Sequence, residues 1–385
     1  MKQPISYGRQ YISDEDIQAV VETLKSDYLT CGPAILNFEK AFAEYVQADY
    51  TVAVCNATAA LHIAAMALGV HSGDTVICSP MTFASSANCI RFCGGNVKFV
   101  DINPQTYLLD IDKLKETLAA SPQGTYKGMV LVDFAGYPHN MEEYRKVADE
   151  YGMWILEDAC HAPGAYFIDS TGEKVYCGCG KYSDITVFSF HPVKHITTGE
   201  GGMACTRFKE LYEKMALYRT HGITHDSEKM ERLDGLWYYE MQELGFNYRL
   251  TDIQAALGIS QLKRARHNVE IRRELVHKYN EAFVNIEGFK IPFEAVDVYH
   301  AYHLYIIQVE DRLGLYNFLR ENNIYAQVLY YPLNLMPYYR QLGNKEGDLP
   351  IVDDYYKHCL ALPMFPTLTE EQQQYVIAKV KEFIL

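Results

Sequence analysis

The chain has 385 residues, 49% hydrophobic and 22% charged, with 35 Lys and Arg against 49 Asp and Glu for a net charge of −14. That is the composition of a folded globular chain long enough for two or three domains. The acidic balance speaks against a nucleic-acid partner, which needs clustered cations, and no run of about 18 apolar residues offers a membrane span.

The amino-terminal stretch lacks the apolar segment of a secretory signal. The ten cysteines are scattered, and the one tight pair, Cys177-Gly-Cys179, lacks Cys-x-x-Cys spacing. The expectation is a reducing, cytoplasmic location and no metal site.

The first predicted helix starts at Ser13. This residue forms a capping box with Asp16, and Ile17, Val20, Val21 and Leu24 recur at helical spacing. A second helix is predicted from about Ala34 through Tyr45. An alternation follows, with strands predicted at 51–55, 75–78, 97–101, 129–133, 154–158, 185–190 and 202–205. Helices are predicted at 58–68, from 85, at 111–120 and at 141–151. The strands are short, apolar and rich in β-branched residues, the pattern of a mostly parallel sheet covered on both faces. An α/β architecture follows, with ligands expected beyond the carboxyl ends of the strands. The character changes near residue 250. A capping box at Thr251 and Gln254 opens a helix predicted to run to about Phe283. A strand at 301–309, a helix at 313–322 and a final helix from Thr369 to Ile384 complete the chain. The predicted division is a large α/β domain over 1–250 and a small α+β domain over 251–385.

The polar residues after the strands carry the functional reading. Asn56-Ala57-Thr58-Ala59 opens a helix with small residues whose amides and dipole suit a phosphate. Phe83 could stack on a flat heterocycle or fill the core. Asp158 ends a buried strand, where a carboxylate is costly unless a cation meets it. Lys194 lies in Phe188-Ser-Phe-His-Pro-Val-Lys-His-Ile-Thr-Thr-Gly-Glu-Gly-Gly202. A lysine at a sheet edge loses its proton more easily as it is desolvated, and then becomes a nucleophile. Together the four fit pyridoxal 5′-phosphate, which needs a phosphate cradle, a stacking ring, a carboxylate for its pyridine nitrogen and a lysine to anchor it.

Five segments of the chain stand out: Leu29-Thr-Cys-Gly-Pro33, Asn56-Ala-Thr-Ala-Ala-Leu61, Glu157-Asp-Ala-Cys-His-Ala162, Ser189 through Gly202, and Gly245-Phe-Asn-Tyr-Arg-Leu-Thr-Asp-Ile-Gln-Ala-Ala-Leu-Gly258. In these segments the chain resembles the DegT/DnrJ/EryC1/StrS sugar aminotransferases, a branch of the fold-type I pyridoxal-phosphate enzymes. The resemblance implies Lys194 as covalent anchor of the cofactor and Asp158 as partner of its ring nitrogen. It implies Thr58, the backbone at Ala59, and Ser189 around the phosphate, Phe83 on the ring and His161 beside it. Asn247 would reach the cofactor of a neighbouring subunit, making a homodimer with shared active sites. Tyr7, Arg249 and Tyr331 are the implied substrate contacts. Pyridoxamine 5′-phosphate is the implied aminated form of the cofactor.

Within the family, the segments from Ser189, Pro332 and Leu362 look like those of enzymes that aminate C4 of a UDP-linked 2-acetamido-2,6-dideoxy-4-keto-hexose, with L-glutamate as donor. Such relatives usually carry histidine before the tyrosine where this chain reads Val328-Leu329-Tyr330. Amination at C3, a GDP or dTDP sugar, a pyridoxamine-dependent dehydratase and a non-catalytic regulator are the other readings. The dehydratases carry histidine at the position that Lys194 fills.

Overall fold

Seven strands form one sheet in the computed structural model, which describes residues 4–385. Across the sheet they run Tyr50–Val54, Gly202–Thr206, Ile185–Ser189, Trp154–Asp158, Gly128–Val132, Thr75–Cys78 and Asn96–Phe99. Gly202–Thr206 is antiparallel to both neighbours, and every other pairing is parallel. Helices Ala57–Ala67, Ser85–Phe92, Ile111–Ala119 and Met141–Tyr151 make the crossovers. The four central parallel strands are almost fully buried because helices cover both faces.

Register places the chemistry. Gly202 lies opposite both Val54 and Ser189, and Asp158 lies opposite Val132 and Val187. The ends of four strands and the start of the antiparallel one therefore share one edge. The start of helix Ala57–Ala67 packs directly on Gly202. A Cβ there would sit 2.6 Å from the Asn56 carbonyl carbon, so only glycine allows the approach.

Two predicted elements differ. The helix expected from Thr251 to Phe283 is two helices, Asp252–Leu262 and Ala265–Phe283. Arg264 at the break is pulled towards the amino-terminal helix, with its guanidinium on both Asp16 oxygens and the Tyr11 carbonyl. Tertiary pairing overrides a continuous helical pattern here. The strand expected from Ala301 is only Tyr305–Gln308. Residues 301–304 bond instead to the turn at 134–136, Ala301 N–H to the Gly136 carbonyl at 2.9 Å and Leu304 N–H to Ala135 at 3.2 Å.

A separate apolar cluster gathers Ile5, Tyr279, Phe283, Tyr305, Leu315 and Val376 around the strand pair Tyr305–Gln308 and Cys359–Leu362. Helix Asp252–Leu262 packs against the amino-terminal helices Asp14–Leu24 and Pro33–Val46. No helix among the described residues is long and apolar enough to cross a membrane.

Candidate active site

The shared strand edge opens onto a cavity of about 580 Å³. Of the residues singled out from the sequence, Tyr7, Thr58, Phe83, Asp158, His161, Ser189 and Lys194 line it. Ala59, Asn247, Arg249 and Tyr331 do not. The Ala59 amide is already used as a donor to the Asn56 side chain at 2.9 Å, the helix N-cap. Asn247 is exposed, Arg249 is half-buried beside Val54, and the Tyr331 ring packs edge-on against Tyr356.

At one end of the cavity, the amides of Ala57 and Thr58 lie in the first helical turn, where no intrahelical acceptor exists. The Thr58 hydroxyl donates to Ser85 Oγ at 3.0 Å, and the Ser189 hydroxyl, at the neighbouring strand end, accepts the His191 amide. This is a helix N-terminus ringed by hydroxyls, ready for an anion.

Asp158 is 5% exposed. Its Oδ2 accepts the Ser86 hydroxyl at 2.6 Å and its Oδ1 the Cys160 amide at 3.2 Å. Because the Ser86 proton is committed to Asp158, the Thr82 hydroxyl, 2.6 Å away, donates to Ser86. Among the described residues, no cationic side chain comes within 4.0 Å of the Asp158 carboxylate. A buried carboxylate with two donors and no cation is suited to a protonated ring nitrogen on a ligand.

Lys194 sits in a loop closed on itself by Phe190 N–H to the Gly201 carbonyl at 2.9 Å and Thr198 N–H to Phe190 at 3.0 Å. Among the described residues no carboxylate pairs with its Nζ; a polar neighbour is His303 Nε2 at 3.4 Å. Burial of the amine pushes its pKa down to about 8, against smaller opposing contributions from Cys160 and Asp158. His195 does not line the cavity and bonds the Ala301 carbonyl through Nε2 at 2.9 Å, fastening the lysine loop to the 300–304 segment.

The tautomer of His161 follows from its partners. Its Nδ1 accepts the Ala135 amide at 3.2 Å, so the ring hydrogen is on Nε2 and points to Tyr330 Oη, 3.2 Å away. The Tyr330 hydroxyl then has its own proton to offer into the cavity, and burial holds its pKa far above the usual phenol. Phe83 is 62% exposed, its ring centroid 6.3 Å from that of Tyr330.

Ser86, His303 and Tyr330 escaped the sequence reading. Ser86 lies 72 positions from Asp158, and Tyr330 lies 169 from His161. No local pattern links residues at such separations.

The family model for the DegT/DnrJ/EryC1/StrS aminotransferases matches residues 10–381. The chain belongs to this family. Among its relatives is the spore coat polysaccharide biosynthesis protein SpsC of Bacillus subtilis, 38% identical over 99% of this chain and 97% of that one. Another is the UDP-4-amino-4,6-dideoxy-N-acetyl-beta-L-altrosamine transaminase of Campylobacter jejuni, 35% identical over 97% and 95%. The putative sugar aminotransferase Spr1654 of Streptococcus pneumoniae, in its PMP form, superposes with a TM-score of 0.90 at 28% identity, covering 99% and 100%. The protein is a fold-type I, pyridoxal-phosphate-dependent sugar aminotransferase. The cation-free Asp158 carboxylate, the depressed Lys194 amine and the open helix N-terminus fit that cofactor's ring nitrogen, aldehyde and phosphate in one cavity.

Behind the aminotransferase site lies a carboxyl pair on the other face of the sheet. Asp133 and Glu157 are buried together with the Cys177 thiol, their ligand atoms within 4.8 Å. Glu157 accepts the Thr186 hydroxyl at 2.6 Å, and Asp133 accepts His139 Nδ1 at 2.9 Å. His139 is itself driven to the neutral form by burial. Burial, with the charge of Asp133 added, pushes Glu157 up to about 8, and burial pushes Asp133 up to about 7. A carboxyl that keeps its proton in the fold contributes stability below the unfolded value of about 4.3, lost as pH rises to the folded one. Stability should therefore fall between pH 5 and 8. Glu157→Gln, which cannot ionise, should flatten this fall by up to about 1.4 kcal/mol per pH unit. Thermal unfolding across that range checks it, and parallel curves for the two proteins would contradict it.

Proposed function

We propose that the protein moves the amino group of L-glutamate to C4 of a UDP-linked 2-acetamido-2,6-dideoxy-4-keto-hexose, as a homodimer with shared active sites. The observation that carries the chemistry is Lys194, free of any carboxylate, facing the same cavity as a buried Asp158 with no cation. The choice of sugar rests on the segments from Ser189, Pro332 and Leu362 and on the name of the Campylobacter jejuni relative.

Bound through Lys194, pyridoxal phosphate supplies an electron sink that stabilises a carbanion at the donor's α-carbon. Asp158, held by Ser86 and the Cys160 amide, keeps the ring nitrogen protonated. Thr58, Ser189 and the first-turn amides of helix Ala57–Ala67 hold the phosphate. Phe83 covers the ring face, and His161 stands beside it. With the cofactor bound to the donor, Lys194 would be free to take the proton from the donor's α-carbon and, in the second half-reaction, to deliver a proton to the acceptor carbon. Its value of about 8 leaves a usable share of both protonation states near neutral pH. A lysine rather than a histidine at position 194 favours amination over dehydration.

Dimerisation is supported by what the single chain leaves outside its cavity. Asn247 is exposed and off the site, and the chain segment just before it, residues 225–239, presents Leu233, Leu236 and Trp237 to solvent, Leu236 fully. For the domain division, we place the boundary at the Lys263–Arg264 break, since helix Asp252–Leu262 packs with the amino-terminal helices.

The test is a panel of UDP-, GDP- and dTDP-linked 4-keto and 3-keto sugars added to the glutamate-reduced enzyme. The expected result is that the UDP-linked 4-keto sugar restores the visible absorption of the lysine-bound cofactor fastest and yields a 4-amino sugar. A preference for a 3-keto or a GDP- or dTDP-linked sugar would overturn the substrate assignment and leave the amination chemistry standing.

A further inference from the structure

His303 lies within hydrogen-bond distance of the lysine amine, and the proposed reaction assigns it nothing. The ring is 5% exposed, with Nε2 3.4 Å from Lys194 Nζ. Its centroid lies 4.4 Å from that of His161 and 5.7 Å from that of His195. Its Nδ1 is buried without a partner.

The ring is held by its backbone. Tyr302 adopts φ +47°, a left-handed conformation uncommon for a residue with a side chain. The bend is fastened on both sides by the Ala301–Gly136 and Leu304–Ala135 bonds. Arg272 is 1% exposed and has no carboxylate within 4.0 Å among the described residues. Its Nη1 donates to the carbonyls of Tyr302, His303 and Met364 at 3.3, 3.3 and 3.1 Å. A buried guanidinium committed to main-chain carbonyls locks the segment that carries His303.

We propose that His303 is a positioning residue for Lys194: its Nε2 lone pair receives the lysine ammonium whenever Lys194 is released from the cofactor, and holds it over the reacting face. This rests on Lys194 being the cofactor's anchor. An ammonium has three protons and no lone pair, so it needs an acceptor. Asp158 already accepts from Ser86 and Cys160 and is not within 4.0 Å. The Cys160 thiol is held protonated by burial. His195 spends Nε2 on Ala301, and His161 spends both nitrogens on Ala135 and Tyr330. His303 remains. Burial keeps it neutral, as do Lys194, His161, His195 and Arg272, all of which face it. It is therefore an acceptor and not a competing charge.

A neutral acceptor stabilises the charged form of the amine. Removing it should lower the Lys194 pKa further, whereas removing an imidazolium would raise it. The experiment uses the cofactor-free enzyme and a small amine-reactive reagent. Labelling of the Lys194 peptide is followed by mass spectrometry against pH, with Lys194→Ala as the blank. In His303→Leu the labelling midpoint should fall by about one pH unit. In the loaded enzyme kcat should drop about 10²-fold with KM for the sugar little changed. His303→Gln, whose amide oxygen can accept, should recover most of both. An unmoved or raised midpoint overturns the proposal, as does failure of glutamine to rescue in a variant that unfolds like the wild type. The midpoint is read without cofactor or substrate. A wrong cofactor anchor would show instead as absent covalent capture of pyridoxal phosphate by Lys194 in the wild type.

Discussion

Replacing Lys194 with alanine should remove sugar amination by at least about 10³-fold, the loss of a positioned proton carrier together with the covalent anchor. The protein should still fold, because among the described residues the side chain makes no ion pair and one long hydrogen bond, to His303 at 3.4 Å. Cofactor added to the variant should stay removable by dialysis and lack the visible band of the lysine-bound form. A surviving band would assign the anchor to another amine. The same variant tests the shared site. Asn247 stands outside its own cavity, so mixing Lys194→Ala subunits with Asn247→Ala subunits should restore activity that neither has alone. If mixing restored nothing while each variant was still dimeric, the shared-site arrangement would be excluded.

Asp158→Asn should cost about 10²–10³-fold in kcat, the scale of one preorganised electrostatic contact at a reacting centre. Asparagine keeps the shape and can still accept from Ser86, but it carries no charge to hold a proton on the ring nitrogen. The signature should be selective. The half-reaction with glutamate should slow at the proton-transfer step, seen as a larger rate effect of α-deuterated glutamate, while cofactor affinity falls far less. Equal losses in affinity and rate would instead mark Asp158 as a structural cap. Its bonds to Ser86 at 2.6 Å and the Cys160 amide at 3.2 Å make this comparison necessary, since a cap would use the same contacts.

The alternating strands, the crossover helices and two capping boxes, at Ser13 and Thr251, were legible because each is a local pattern of a few residues. The helix expected across Lys263–Arg264 was not, since what breaks it is Asp16, almost 250 positions away. The strand expected from Ala301 shortens for the same kind of reason: its amides find the 134–136 turn first.

Sequence alone determined the chain order Thr58, Phe83, Asp158, Lys194, each at or after the end of a strand, and with it the kind of chemistry. Each residue type at that position has few uses, and α/β topology brings strand ends together. It did not determine which side chains complete the site. Ser86, His303 and Tyr330 arrive from other elements, and their roles depend on distances of about 3 Å and on which ring nitrogen already has a partner. Protonation is likewise a property of the fold. The Lys194 amine is an ordinary ammonium in an unfolded chain, and only burial in the fold brings its pKa down to about 8.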